Sequence, residues 1–106
     1  MESSVPLNRT AEFYIEMIKD VVLAGLSSED VSIALFGSMA NNKAHRSSDV
    51  DVAVLPRDGW DRRKMVLLRE RLENLNVPYN VDLVDFSSVS EKFRQIALRT
   101  AIWWRR

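Results

Sequence analysis

The chain contains no cysteine, and it has only three glycines and three prolines among its 106 residues. Without cysteine there can be neither a disulfide framework nor a thiolate metal site, and this absence fits a cytoplasmic protein. No apolar run approaches the length needed to cross a bilayer. The first ten residues lack the apolar core of a secretory signal. We therefore expect a cytoplasmic protein without a membrane segment.

Net charge is also absent, because fifteen basic residues balance fifteen acidic ones. A dedicated nucleic-acid-binding protein usually carries a basic excess, so this balance argues against that class. Hydrophobic residues make up 46% of the chain and charged residues 28%, which is ordinary for a globular protein. A chain of this length can bury one core, so we expect a single domain over residues 1–106.

The most informative stretch runs from Gly37 to Asp51, between the apolar segments VSIALF and VAVL. We interpret it as strand, tight turn, short helix or loop, and strand. Gly37 supplies the turn, because glycine adopts a left-handed backbone at little steric cost. Ser38 stands where a short helix would begin, and the unpaired N–H groups of a helix start suit phosphate. Strand alternation puts the carboxylates of Asp49 and Asp51 on one face, about 6.6–6.8 Å apart along the chain.

Two further acidic residues are candidates for a place beside this pair. The segment YNVDLV, residues 79–84, predicts a third strand with Asp82 inside it and Asp85 directly after it. A carboxylate buried in an apolar strand is costly unless it has a partner. A metal ion shared with Asp49 and Asp51 would be such a partner. We therefore favour Asp82 over Asp85, whose place at the strand end suits an exposed or helix-capping role.

Apolar periodicity around the motif predicts the order helix, strand, motif, strand, helix, strand, helix. This order indicates an α/β (α+β) fold, in which helices pack against a small mixed sheet. One of the serines at 87, 88 and 90 would cap the last helix, whose inner stripe would comprise Phe93, Ile96, Ala97, Thr100 and Trp104. Trp103 and Trp104 cannot both face one core from a helix, so a loosely packed terminus and a partner surface stay equally open.

The pattern Gly-Ser-x10-Asp-x-Asp, from Gly37 to Asp51, resembles the signature of the nucleotidyltransferase superfamily of DNA polymerase β type. Length and element order are similar to its minimal nucleotidyltransferase branch from end to end. The resemblance implies a nucleotidyltransferase fold in which three acidic residues, here Asp49, Asp51 and Asp82, hold two magnesium ions. It also implies that Gly37 and Ser38 contact the triphosphate. Two metal ions can stabilise both the attacking and the leaving oxygen of phosphoryl chemistry.

The polar tract inside the motif departs from this pattern. Relatives in the branch often carry an arginine and a glycine just after their Gly-Ser-x-Ala segment, where this chain has Asn41 and Asn42. This difference leaves the grip on the triphosphate, and with it the activity, open. We interpret His45 as exposed, or at most a helper near phosphate. Lys43 and Arg46 could meet phosphate charge or belong to a solvated loop.

Minimal nucleotidyltransferases of this kind commonly act as antitoxins of a helical HEPN-domain RNase, and some transfer AMP from ATP to a tyrosine of that toxin. The resemblance therefore implies a magnesium-dependent protein adenylyltransferase with ATP as substrate and a hydroxyl of a HEPN-type partner as acceptor. Two alternatives stay open. One is a non-catalytic antitoxin that acts by contact. The other is a nucleotidyltransferase for a small molecule such as an aminoglycoside, although no second domain shapes a pocket for it.

Overall fold

The computed structural model describes residues 7–40, 49–58 and 60–106, with side chains from residue 11 onward. The order of elements predicted from the sequence is confirmed as far as the third helix, and so is the α+β class. The helices and strands are α1 (Leu7–Gly25), β1 (Val31–Phe36), β2 (Val50–Pro56), α2 (Arg63–Glu73), β3 (Val81–Asp85), α3 (Glu91–Leu98) and β4 (Ile102–Arg105). None of the helices in these ranges is long and apolar enough to cross a membrane.

The strands of the described ranges form one mixed sheet in the order β3-β2-β1-β4. β1 pairs antiparallel with β2 and with β4, whereas β2 and β3 run parallel. The antiparallel pair puts Phe36, at the end of β1, opposite Asp51 near the start of β2. The parallel pair then puts Asp82 of β3 on the other side of Asp51. The end of β1 and the starts of β2 and β3 therefore meet at one end of the sheet.

Helices cover the two faces of this sheet unequally. On one face, which we call the α1/α2 face, buried aliphatic residues of β1, β2 and β3 pack against Ile18, Val22, Leu26, Met65, Leu68 and Leu72 of the α1 and α2 regions. On the other, the α3 face, the buried cluster is smaller and comprises Phe36, Ala53, Leu55 and Phe86. α3 packs there through partly buried side chains, and none of its eight residues is fully buried.

The C-terminal segment is a strand, so the prediction that the last helix continues through it is wrong. α3 ends at Leu98, and Ile102–Arg105 runs along β1 as β4. Isoleucine and tryptophan favour strands, and the otherwise open edge of β1 offers backbone partners that an added helical turn would not. Neighbouring strand residues point to opposite faces. Trp103 therefore packs on the α3 face and Trp104 on the α1/α2 face, each partly buried.

The start of α3 agrees with the prediction, but its inner stripe does not. The Oγ of Ser90 caps the helix by accepting a hydrogen bond from the backbone N–H of Phe93 at 3.1 Å. Phe93 and Ile96, which the spacing assigned to the core, are 44% and 55% exposed. Because the helix is short and packs mainly through Ala97 and Leu98, its larger side chains stay at the surface.

Candidate active site

The turn after β1 is built around Gly37, whose φ is +78°. This left-handed backbone conformation is readily adopted by glycine and strained for other residues. Space imposes a second constraint, because a Cβ atom on Gly37 would collide with the Oδ2 atom of Asp51. Backbone conformation and the approach of the carboxylate therefore both require glycine. They also bring the turn into contact with Asp51.

Gly37 opens a single 3-10 turn that ends at Met39 and is closed by a 3.1 Å hydrogen bond from the Ala40 N–H to the Gly37 carbonyl. Met39 is buried in the core and Ser38 is partly buried. The helical turn therefore begins at Gly37, one residue before Ser38, where the sequence predicted its start. The rest of the polar tract, with Asn41, Asn42, Lys43, His45 and Arg46, lies outside the described residues.

The aspartates predicted to form the site lie on neighbouring strands beside this turn. Asp51 belongs to β2, Asp49 directly precedes that strand, and Asp82 is the β3 partner of Asp51. Strands in a sheet lie about 4.8 Å apart, and residues two positions apart project to the same face. Asp51 alternates with the buried Val50 and Val52 of the α1/α2 face. All three carboxylates therefore belong to the α3 face.

Asp51 has the most perturbed environment of the three. Desolvation by burial, followed by the negative charges of Asp82 and Asp49, raises the pKa of Asp51 from its ordinary 3.8 to about 6. Ionisation of this carboxyl is disfavoured until a positive charge offsets its neighbours. A hard divalent cation such as Mg²⁺ takes oxygen ligands and supplies that charge. The donor atoms and the charge at this position therefore fit a divalent cation.

The three carboxylates share a face but are not arranged as a closed cage. In the described ranges, no three acidic or histidine side chains are gathered closely enough to hold an ion. Like charges repel, so carboxylates converge only when a cation offsets the repulsion. Asp49 and Asp82 are exposed, and an exposed side chain can turn toward a cation without disturbing the core. The fit therefore rests on donor chemistry and strand register.

The reason for preferring Asp82 over Asp85 was burial, and that reason is wrong. Asp82 is exposed, whereas Asp85 is only 8% exposed. Asp85 accepts hydrogen bonds at Oδ1 from the backbone N–H and the Oγ of Ser87, at 2.9 and 2.6 Å. It therefore caps the turn after β3, as the capping alternative predicted. Strand register, with β3 at Val81–Asp85 instead of 79–84, is what puts Asp82 beside Asp51.

Sequence reasoning missed the aromatic cluster that adjoins the carboxylates. Phe36, the β1 partner of Asp51, makes edge-on contacts with Phe86 and Phe93 at ring-centroid distances of 5.2 and 6.2 Å. The signal was present, because Phe36 directly precedes Gly37 and alternates with Leu35. This alternation could have placed its ring on the face opposite the main core, next to the site.

Comparisons with known proteins cover most of the chain. Residues 26–103 match the family described as Polymerase beta, Nucleotidyltransferase, and this range contains Gly37, Ser38 and all three aspartates. Over 67 residues the chain is 34% identical to the probable protein adenylyltransferase MntA of Haemophilus influenzae. That alignment covers 63% of this chain and 59% of the relative. The chain therefore spans about three fifths of the length of that curated relative.

Two solved structures share the fold. One is described as a minimal nucleotidyltransferase, with a TM-score of 0.68 and 27% identity over 84% of this chain and 91% of the other. The second is a chain from the complex of tri-AMPylated Shewanella oneidensis HEPN toxin with MNT antitoxin. It has a TM-score of 0.57 and 25% identity over 84% of this chain and 70% of the other.

Proposed function

Because this chain belongs to the polymerase β nucleotidyltransferase family, we propose that it transfers AMP from ATP to a hydroxyl group of a HEPN-type helical toxin and thereby acts as its antitoxin. The similarity to a protein adenylyltransferase supports the reaction type. The similarity to a complex that contains an AMPylated HEPN toxin supports the acceptor. A cytoplasmic location and the action of residues 1–106 as one domain belong to the same proposal.

The structural observation that carries the proposal is the position of Asp51. It lies between the Gly37 turn, at the end of β1, and Asp82, on the outer strand β3. In this proposal Asp49, Asp51 and Asp82 hold two magnesium ions, and the phosphates of ATP lie against Gly37 and Ser38. When bound, the metal supplies positive charge that stabilises the attacking and leaving oxygens and lowers the pKa of the attacking hydroxyl.

The proposed reaction is a displacement at the α-phosphorus of ATP. The acceptor oxygen forms a bond to this phosphorus, the bond to the pyrophosphate oxygen breaks, and the hydroxyl proton passes to solvent. Attacking and leaving oxygens lie roughly in line in such a transfer. The Gly37 turn and Asp82 flank Asp51 on opposite sides. In this proposal the leaving phosphates lie against the Gly37 turn, and the acceptor hydroxyl lies beside the carboxylates on the α3 face.

A label-transfer assay tests the proposal. The protein is incubated with the product of the neighbouring gene, magnesium and ATP labelled at the α-phosphate, and label is expected on that product. Asp51→Asn should abolish the transfer. Asp30→Asn is the matched control, because Asp30 is an exposed aspartate just before β1, at the other end of the sheet. Absence of transfer by the wild type, or equal transfer by wild type and Asp51→Asn, would refute the proposal.

The alternative is an antitoxin that acts by contact alone. In the described ranges the acidic side chains do not already form a three-ligand metal cage. A contact antitoxin does not need one. Under this alternative, Asp51→Asn should still neutralise the toxin in cells as well as the wild type does. Under the enzymatic proposal, the same variant should fail to protect even though it still binds its partner.

A further inference from the structure

We infer that the acceptor protein docks on the α3 face, with an apolar surface against Phe93 and Ile96. This inference rests on the proposed function, because a protein acceptor has to bring its hydroxyl to the carboxylates. Asp51 and Asp82 both belong to the α3 face, since they alternate with residues of the α1/α2 core. The acceptor therefore has to approach from the side of the sheet that α3 covers.

α3 exposes two large apolar side chains one helical turn apart. Phe93 and Ile96 are 44% and 55% exposed, and residues three positions apart are neighbours on a helix surface. We call these two residues the α3 patch. The Phe93 ring lies 6.2 Å from the Phe36 ring, centroid to centroid, and Phe36 is the strand partner of Asp51. The patch is therefore joined to the carboxylates by one intervening side chain.

The charges around the α3 patch indicate what kind of surface it contacts. Lys92, Arg94 and Arg99 lie within or directly after α3, where Glu91 is the single acidic residue. Protein interfaces commonly combine an apolar centre with a polar rim, and charge complementarity across the rim directs association. We therefore expect the acceptor to present an apolar patch with acidic side chains opposite these basic residues, and to carry the modified hydroxyl beyond the patch, toward the aspartates.

Exposure alone does not distinguish the α3 patch. Phe13 on α1 and Leu67 on α2 are 62% and 63% exposed, which is more than either residue of the patch. Their helices, however, cover the α1/α2 face, so a protein bound to them could not bring a hydroxyl to the carboxylates on the other side of the sheet. This difference makes Phe13 and Leu67 matched controls for Phe93 and Ile96.

The test compares four glutamate variants in binding to the purified HEPN-type partner. Phe93→Glu and Ile96→Glu should each raise the Kd for the partner about tenfold or more, because an unpaired carboxylate would be buried in an apolar contact. Phe13→Glu and Leu67→Glu should change the Kd by less than about twofold, as substitutions outside an interface do. All four should bind the ATP analogue AMP-PNP as the wild type does.

Cross-linking gives a second measurement that does not depend on a charged substitution. The natural chain has no cysteine, so Ile96→Cys and Leu67→Cys each carry a single thiol for a photoreactive probe. The partner should cross-link to the probe at position 96 and not at position 67. Melting temperatures close to the wild-type value check that each variant is folded. If a glutamate variant is unfolded, the comparison of Ile96→Cys with Leu67→Cys decides where the partner docks.

The outcomes separate this inference from the proposed function. Equal partner binding by the α3 and control variants, or equal cross-linking at positions 96 and 67, would overturn the docking surface. Loss of AMP-PNP binding by Phe93→Glu would also overturn it, because the patch would then belong to the nucleotide. If the wild type binds its partner but transfers no label, the proposed function fails, and the binding comparison still decides where the partner docks. A partner that does not bind at all refutes both.

Discussion

The α1/α2 face of the sheet buries residues such as Ile33 and Val52 completely under helices of 19 and 11 residues. The α3 face is covered by a helix of eight residues, none of them fully buried, and it carries the three aspartates. A thick core on one side allows the other side to keep charged groups in contact with solvent. This small fold therefore concentrates its buried core on one face, and the aspartates of the proposed site lie on the other.

The largest expected effect breaks this division at the core. Ile33→Ala should lower the free energy of unfolding by about 2–5 kcal/mol, because it removes a fully buried side chain and leaves a cavity. Ile96→Ala, on α3, should change it by about 0.5 kcal/mol or less, as expected at a mostly exposed position. Urea denaturation measures both. Comparable losses for the two variants would show that the faces contribute equally to stability.

A smaller effect is expected at the Gly37 turn, which lies between the core and Asp51. Gly37→Ala should lower the free energy of unfolding by about 1–3 kcal/mol, because alanine is strained at this positive φ. Because the added methyl group also displaces Asp51, AMP-PNP binding and label transfer should be lost in the fraction of the protein that stays folded. Gly25→Ala, where φ is not positive and only the Leu68 side chain has to move, is the control. Full label transfer by Gly37→Ala would contradict this account of the turn.

The smallest expected effect is a gain in stability, which follows from removal of the charge of Asp51. The folded-state pKa of Asp51, about 6, lies above its ordinary 3.8, so the ionised carboxylate destabilises the fold above pH 6. This penalty disappears as the pH falls through 6 toward 4. In metal-free buffer at pH 7.5, Asp51→Asn should therefore have a free energy of unfolding higher than that of the wild type by about 1 kcal/mol after allowance for solvent screening, and a higher melting temperature.

Two changes of condition check this assignment. The difference in melting temperature between Asp51→Asn and the wild type should shrink as the pH is lowered to 4, because protonation of the wild-type carboxyl already removes its charge. Added magnesium should stabilise the wild type more than the variant. A variant less stable than the wild type in metal-free buffer at pH 7.5 would show that Asp51 makes a stabilising interaction instead.

Several features of the site were predictable because they depend on a few consecutive residues. A glycine between an apolar strand and a polar segment indicates a turn with an unusual backbone, and Gly37 has the expected positive φ. Alternation puts Asp51 on the opposite face from Val50 and Val52, and those two valines are buried. The placement of Asp82 depended on how β3 pairs with β2. The burial argument used to choose Asp82 was wrong, but Asp82 does lie beside Asp51, as expected.

The sequence alone determined the class of the fold, the order of its elements as far as α3 and the local geometry of the Gly37 turn. Only the tertiary structure decided that Ile102–Arg105 pairs with the edge of β1, that Trp103 and Trp104 pack on opposite faces, and that Phe93 and Ile96 stay exposed. The physical reason is the range of the forces involved. Turn geometry and side-chain alternation act within a few residues, whereas strand pairing and burial depend on which distant segments reach the same place.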